Sequence, residues 1–164
     1  MQAVCNTGPL THLWQIQSWS IFSLFETVHV AQQVIAEIAA HADITILSQM
    51  VDLQIHSVST IEVQTIAATI PAHLTLHLAD LATLVLAHKI QPDLVLTDDL
   101  ALRKAIEGYQ LKPMGSVGLV LRAYKRGLLS AEALDQAIEG LFVHSTLYLS
   151  PQFKQYVRKL IATQ

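Results

Sequence analysis

The sequence predicts an α/β protein built on a doubly wound parallel sheet of four to five strands, with a helical C-terminal extension. Three observations carry that prediction. Two short apolar runs, Ala3-Val4-Cys5 and Leu94-Val95-Leu96, stop abruptly at polar residues, Asn6 in one case and Thr97-Asp98-Asp99 in the other. Strands buried on both faces read as continuous apolar runs, and open sheets of this kind bind ligands at their carboxyl ends. Strand-like and helix-like stretches alternate over the first 115 residues, the rhythm of crossovers between parallel strands. From His77 to Lys89 the chain is almost all apolar, as in a buried helix.

The elements follow in order. Pro9 suits a first helical position, and Leu10, Leu13, Trp14 and Ile16 recur at helical spacing, which predicts a helix running on through Trp19 to Phe25. Val28 and Val30 belong to a second short strand. Gln32 to Ala40 reads as a helix with Val34, Ile35 and Ile38 facing inward and Glu37 projecting. Val51, Leu53, Ile55 and Val58 alternate with polar residues as in another strand. Residues 60–70 form a mildly amphipathic helix ended by Pro71. The helix over 77–89 carries Asp80 in its first turn, where the dipole favours a carboxylate. After the Asp93–Leu96 strand come a helix from Leu100 to Glu107, ended by Gly108, and a last short strand and turn at Lys112-Pro113-Met114-Gly115. Helices over Val117–Arg126, Ser130–Glu139 and Pro151–Ala162 complete the chain. Residues 1–127 are expected to form the main domain, and 128–164 a helical extension packed on it.

At 164 residues the chain fits one compact domain. Hydrophobic residues make up 52% and charged residues 14%, against roughly 25% charged in an average soluble domain. Some apolar surface is therefore expected to be covered by a partner. Residues 1–25 carry no charged side chain, but His12, Gln15, Gln17, Ser18, Ser20 and Ser23 interrupt them. A spanning helix needs about 20 mostly apolar residues and a signal peptide a basic start. The expectation is a cytoplasmic protein with no membrane segment. Cys5 stands alone and cannot form an internal disulfide, in keeping with a reducing compartment. All ten Lys and Arg residues lie at or after Lys89. Residues 1–88 hold six acids and no base (−6), and the remainder ten bases against seven acids (+3). A weakly acidic protein is no general polyanion binder, although Arg103, Lys104, Lys112, Arg122, Lys125 and Arg126 form a candidate local basic rim, the alternative being solvated helix faces, which composition alone favours.

Chemistry is concentrated in Asn6, Glu37, Asp80 and the pair Asp98/Asp99, each at a strand end or on an adjacent helix. Converging oxygen ligands suit Mg²⁺ or Mn²⁺, which take a few carboxylates together with water and substrate phosphate. Such a site breaks phosphodiesters without a serine or cysteine nucleophile. Each residue also has a plainer role: Asp99 as the cap of the helix starting at Leu100, Asn6 or Thr7 as the cap of the first helix, Glu37 as an exposed surface residue. Two rival constellations stand beside this one. His73, His77 and Asp80, at i, i+4 and i+7, would share a helical face able to hold Zn²⁺. Alternatively, the acidic pair would serve phosphoryl transfer of a receiver-like kind, with Lys112 near the same edge.

The segments Val4-Cys5-Asn6-Thr7-Gly8-Pro9-Leu10, Val30 to Ile38, Ala79 to Ala87, Asp93 to Arg103 and Gly115 to Leu121 together resemble the PIN domain nucleases, particularly the short prokaryotic PIN-like proteins found beside toxin–antitoxin modules. The resemblance covers about residues 3–127 and implies a Rossmann-like sheet bearing a Mg²⁺- or Mn²⁺-dependent endoribonuclease. Its acid positions fall on Asn6, Glu37, Asp80 and Asp98, with Glu37, Asp80 and Asp98 catalytic, Asp99 a supporting ligand, and Thr7, Arg103 and Lys104 near the RNA. The implied partners are RNA, an antitoxin protein and a second copy of the chain. Trp14, Trp19, Ile21, Phe22, Leu24 and Phe25 would supply an apolar interface, or else a buried first helix. Lys154, Arg158 and Lys159 form a basic stripe that would touch RNA, or else an ordinary solvated face. The chain departs from the family in having Asn6 where the motif begins with aspartate, and Asp80 where glutamate is common. Asparagine offers a carbonyl oxygen to a cation but no negative charge and no base, so a non-cutting module that binds RNA or protein is the alternative.

Overall fold

The computed structural model describes residues 1–164. Five strands, β1 (Gln2–Cys5), β2 (Thr27–Ala31), β3 (Asp52–His56), β4 (Leu94–Leu96) and β5 (Pro113–Met114), form one sheet in the order β3-β2-β1-β4-β5. Every pairing is parallel. The central strands β1 and β4 are the most apolar and are buried throughout except at Gln2. The strand at one edge, β3, is largely exposed, in keeping with its alternating sequence.

Nine α-helices wrap the sheet: α1 (Thr7–Gln15), α2 (Gln32–Ile38), α3 (Ile44–Leu47), α4 (Thr60–Ala67), α5 (Leu78–Ile90), α6 (Leu100–Gly108), α7 (Ser116–Lys125), α8 (Ala131–Glu139) and α9 (Pro151–Ala162). Helix α5 packs against β1, β2, α2, α4 and α6, whereas α1 packs with α7. The chain order reverses between β1 and β4, and their carboxyl ends border the crevice where sheets of this kind place ligands. The backbone N–H of Asn6 donates to the Leu96 carbonyl at 2.9 Å, so the last residue of that ladder is already a site residue.

The predicted first helix is cut short. Helix α1 stops at Gln15, Gln17 adopts a left-handed conformation (φ 55°), and Trp19–Leu24 continues as a 3₁₀ helix. Trp19, Ile21, Phe22 and Phe25 are buried in the protomer's own core, Trp14 and Leu24 packing at its margin. Those residues therefore do not offer the exposed apolar interface that was one reading of the sequence. Helix α3 and a π-helical turn at Gly140–His144 have no strong periodic signature in the sequence, being four and five residues long. The core is a single cluster of 41 buried residues, and it includes Leu134, Ile138, Leu141, Phe142 and Val157 from the C-terminal helices.

Two rival constellations are taken apart by the fold. The helix carrying Asp80 begins at Leu78 with His77 as its N-cap, so His73 lies in the preceding non-helical stretch and shares no helical face with Asp80. Lys112 precedes β5 and lines a hollow with Met1, Gln91 and Asp93, at the amino ends of the strands. In a parallel sheet that is the edge opposite Asp98 and Asp99, so the receiver-like arrangement does not form.

Helix α4 is started by a capping box: the Ser59 hydroxyl accepts from the Glu62 N–H at 3.2 Å while Glu62 accepts from the Ser59 N–H at 2.8 Å. Lys89, near the end of α5, donates to the same carboxylate. These bonds, chiefly the one from Lys89, hold the Glu62 carboxyl down to about 2. A depressed carboxyl adds stability above its unfolded value, and that stability is lost as pH falls towards the folded one. The Glu62→Gln variant is thus expected to melt below the parent at neutral pH, with the gap closing between about pH 4.5 and pH 2. Thermal unfolding followed by circular dichroism across that range checks it; an unchanged gap at pH 2 refutes the clamp.

Candidate active site

Asn6 directly follows β1, at the N-cap of α1, and is buried. Its side-chain amide donates to Asp80 Oδ1 at 3.0 Å, and its Oδ1 lies 3.1 Å from the Thr83 hydroxyl, one turn further along α5. Asp80 is the N3 residue of α5, and its Oδ2 accepts the His77 N–H at 2.9 Å, closing the N-terminus of the helix. Burial pushes the Asp80 carboxyl up; the bonds from His77 and Asn6 pull it back, and the charge of Asp99 pushes it up again. Asp80 is therefore both a helix-capping group and a near neighbour of Asp99. Glu37 reaches the same edge from α2, where it accepts a hydrogen bond from the Thr7 hydroxyl at the start of α1.

Asp98 and Asp99 diverge. Consecutive residues of an extended segment point to opposite faces, and here the two carboxylates go to different helix layers. Asp99 caps α6 by accepting the Leu102 N–H at 2.7 Å, and its own N–H donates to the Thr97 hydroxyl at 3.1 Å. Asp98 turns to α1 and α7. Its Oδ1 accepts the Ser116 N–H at 2.7 Å, and its Oδ2 accepts the Ser116 hydroxyl at 2.6 Å and lies 2.7 Å from His12 Nδ1. Only 8% of the Asp98 side chain is exposed, so those three partners replace water around the charge. Two glycines make the room: a Cβ on Gly115 would lie 2.9 Å from Asp98 Oδ1, and one on Gly8 would lie 3.2 Å from Asp98 Cβ. Next to it, burial first and the Asp98 charge second push the Cys5 thiol up, which keeps it protonated.

Of the residues read from the sequence, the fold thus joins Asn6 to Asp80, Thr7 to Glu37, and Asp99 electrostatically to Asp80. It assigns Asp98 to a separate, internally satisfied cluster. Arg103 follows Asp99 by one turn of α6, is half-buried and forms no ion pair; Lys104 beside it is exposed. Lys154 and Arg158 do not form a free stripe. Lys154 donates to the Phe142 carbonyl at 3.0 Å, Arg158 lies 3.5 Å from Glu139, and both cations sit over the Phe142 ring. His12, Thr83 and Ser116, unmarked in the sequence, emerge as partners of the acidic residues. Only the Gly115-Ser116 start of α7 carried a local signal, and nothing in it names Asp98 as the partner.

The donor set is hard: carboxylate oxygens and one amide carbonyl. No three Asp, Glu, His or Cys side chains gather closely enough to cage an ion among themselves. Mg²⁺ rarely needs such a cage, because it keeps several waters and is held by one or two carboxylates together with substrate phosphate. The residues at this edge fit a hydrated divalent ion of that kind and do not fit a dehydrated tetrahedral or all-protein site.

A family model described as DUF3368, PIN domain, matches residues 2–163. The match runs through α9, beyond the 3–127 span of the sequence resemblance, in agreement with a core that includes the C-terminal helices. No curated protein matches the chain. No helix is long and apolar enough to cross a membrane. With the parallel five-stranded sheet and acid-bearing carboxyl edge already described, a match over nearly the whole chain means that this protein belongs to the PIN domain family.

Proposed function

We propose that the chain is a metal-dependent endoribonuclease of PIN type, hydrolysing RNA phosphodiesters at the carboxyl edge of β1 and β4. The observation that carries this reading is the bond of Asp80 to Asn6 where the strand order reverses, with Glu37 bonded to the neighbouring Thr7 and the Asp99 charge felt by Asp80. PIN domains are nuclease-type domains that generally depend on a divalent metal, and Mg²⁺ or Mn²⁺ suits these donors. When bound, such an ion neutralises charge building on the phosphate and lowers the pKa of water. The chain's own residues do the rest. His77 N–H and the Asn6 amide hold the Asp80 carboxylate in one orientation. Asp99 is fixed by its bond from Leu102 N–H, with the other oxygen free of protein partners. Arg103, Lys104 and Thr7 supply a cation-and-hydroxyl rim for the phosphodiester. The same reading makes the chain the toxin of a toxin–antitoxin pair, acting in the cytoplasm as a homodimer with an antitoxin as protein partner.

A second reading is favoured by one bond. The Asn6 amide sits where a carboxylate would add charge, and it offers Asp80 a hydrogen-bond donor. An edge quietened in this way would still bind RNA or protein without cutting it.

Two experiments separate these. Replacing Asn6 by Asp puts a second carboxylate about 3 Å from Asp80 Oδ1, at a cost of about 3 kcal/mol for a buried unpaired charge. Asp80 is already pushed up, and the new charge pushes it further. A raised carboxyl favours folding at low pH, and that contribution is lost as pH rises through the raised value. The Asn6→Asp protein is thus expected to be less stable than the parent at neutral pH in chelator, to recover as the pH is lowered, and to regain stability in millimolar Mn²⁺. Calorimetric melting with and without the ion checks this; loss that Mn²⁺ does not restore would sink the metal edge.

Cleavage of a fluorogenic RNA in Mn²⁺ is expected from the parent, abolished by chelator and lowered at least 100-fold by Asp80→Asn or Asp99→Asn with the fold intact. Ser116→Ala, which removes one donor from buried Asp98, is expected to cost about 2 kcal/mol of stability in denaturant unfolding. Cutting by Asn6→Asp but not by the parent selects the non-cutting reading.

A further inference from the structure

A second group of metal-capable side chains lies on the sheet itself, away from the acid edge. Parallel pairing sets Gln2 opposite Thr27, Thr27 opposite Asp52, His29 opposite Gln54 and Ala31 opposite His56. Residues two apart on a strand share a face, so Gln2, His29, Asp52, Gln54 and His56 stand together on one face, all of them half-buried or exposed. Both faces of a parallel sheet are ordinarily covered by helices, and this polar patch is open to solvent instead. His29 Nδ1 lies 2.9 Å from His56 Nε2, and the two rings, 5.1 Å apart and inclined by 44°, meet through these nitrogens rather than through their faces. On its other side His29 Nε2 lies 3.1 Å from Gln2 Oε1. An amide oxygen only accepts, so the proton of the neutral His29 ring sits on Nε2, and the lone pair of Nδ1 is turned towards His56. Asp52 is near enough for its negative charge to act on His29.

We propose that His29 and His56 form a binding site for a divalent transition ion of the imidazole-preferring kind, Ni²⁺, Cu²⁺ or Zn²⁺, which replaces the hydrogen bond between the two rings and keeps water in its remaining positions. On binding, His56 carries its proton on Nδ1 and leaves Nε2 to the ion. The spacing fits. Two nitrogens held at about 2.0–2.1 Å from one ion, with a right angle between the bonds, stand roughly 2.9 Å apart, and a tetrahedral angle asks for roughly 0.4 Å more. The right angle is that of neighbouring positions on a tetragonal or octahedral ion. The surroundings fit as well, because a ligating histidine characteristically donates its other N–H to an oxygen acceptor that fixes the ring, and Gln2 fills that role for His29. Mg²⁺ takes oxygen ligands, so this ion is chemically distinct from the one suited to the acid edge, and the inference does not rest on the nuclease reading. Once bound, the ion ties the exposed edge strand β3 to β2.

The test uses the full chain, free of any histidine tag, titrated calorimetrically with Ni²⁺ and with Zn²⁺ in millimolar Mg²⁺, which occupies oxygen sites. The parent is expected to take up one ion with an affinity that His29→Gln and His56→Gln each lower by roughly 10-fold or more. Gln2→Ala lowers it by a smaller factor, and Asp80→Asn leaves it unchanged. Thermal melting reads the same event: at a hundred times the Kd the ion is expected to raise the Tm of the parent by roughly 5–10 °C, a shift that both histidine variants lose. On the parent itself, substoichiometric Cu²⁺ is expected to broaden the ring-proton NMR signals of His29 and His56 before those of the other six of the eight histidines, a readout that needs no variant to fold. The proposal is overturned if the parent takes up neither ion, if uptake survives both histidine substitutions, if broadening begins at other histidines, or if Asp80→Asn alone abolishes uptake with the fold intact, which would assign the ion to the acid edge. None of these readouts involves cleavage, so a chain that binds the ion and never cuts RNA keeps this site and loses the nuclease reading, and one that cuts without binding the ion does the reverse.

Discussion

A carboxylate removed from water has to be satisfied by the protein, and the way Asp80 meets that demand organises the candidate site. Its two oxygens are committed in different directions, one to the His77 N–H at the start of α5 and one to the Asn6 amide at the end of β1. The first bond fixes where α5 begins, and the second pins that helix to the central strand at the edge where the sheet reverses. With α5 almost wholly buried from Ala79 to Ala87, neither end of the contact has freedom to adjust. Helix capping and site geometry are therefore one interaction. The usual view that a cap is incidental and a ligand functional does not separate them here, because the same oxygens serve both.

Along the next strand, parity decides chemistry. Asp98 and Asp99 are identical in type and adjacent, yet one is enclosed by Ser116 and His12 while the other faces Asp80. The enclosed carboxylate joins α1 and α7 to β4, and the close approach of Gly8 and Gly115 to it shows how tightly that junction is packed. The outer one keeps a free oxygen. Asp98 has three protein partners and Asp99 one, so the physical distinction between the two is availability rather than charge.

Low charge content, which suggested a covered surface, has a more local explanation. The uncharged N-terminal segment spends its aromatics on the core, and Lys154 and Arg158 cover Phe142. The apolar side chains left exposed are spread over several elements, among them Ile61 on α4, Leu78 on α5, Leu100 on α6, and Tyr148, Phe153 and Tyr156 near the C-terminus.

Much of the fold was legible from local pattern. Continuous apolar runs identified β1 and β4, the apolar stretch identified α5, the mild amphipathicity of residues 60–70 identified α4, and Asn6, Glu37 and Asp80 stood out as acids or amides at strand ends and on the helices beside them. These features are readable because they depend on residues a few positions apart. The sequence could not say that α1 ends at Gln15, since Leu, Trp and Phe at helical spacing look alike in an α-helix and in a 3₁₀ segment, and it is burial of Trp19 and Phe22 that settles the path. Nor could it choose between Asp98 and Asp99 or link His12 to residue 98. Those depend on partners 18 to 86 residues away, and only the closed sheet, which fixes which face each side chain takes, brings such distant groups into contact.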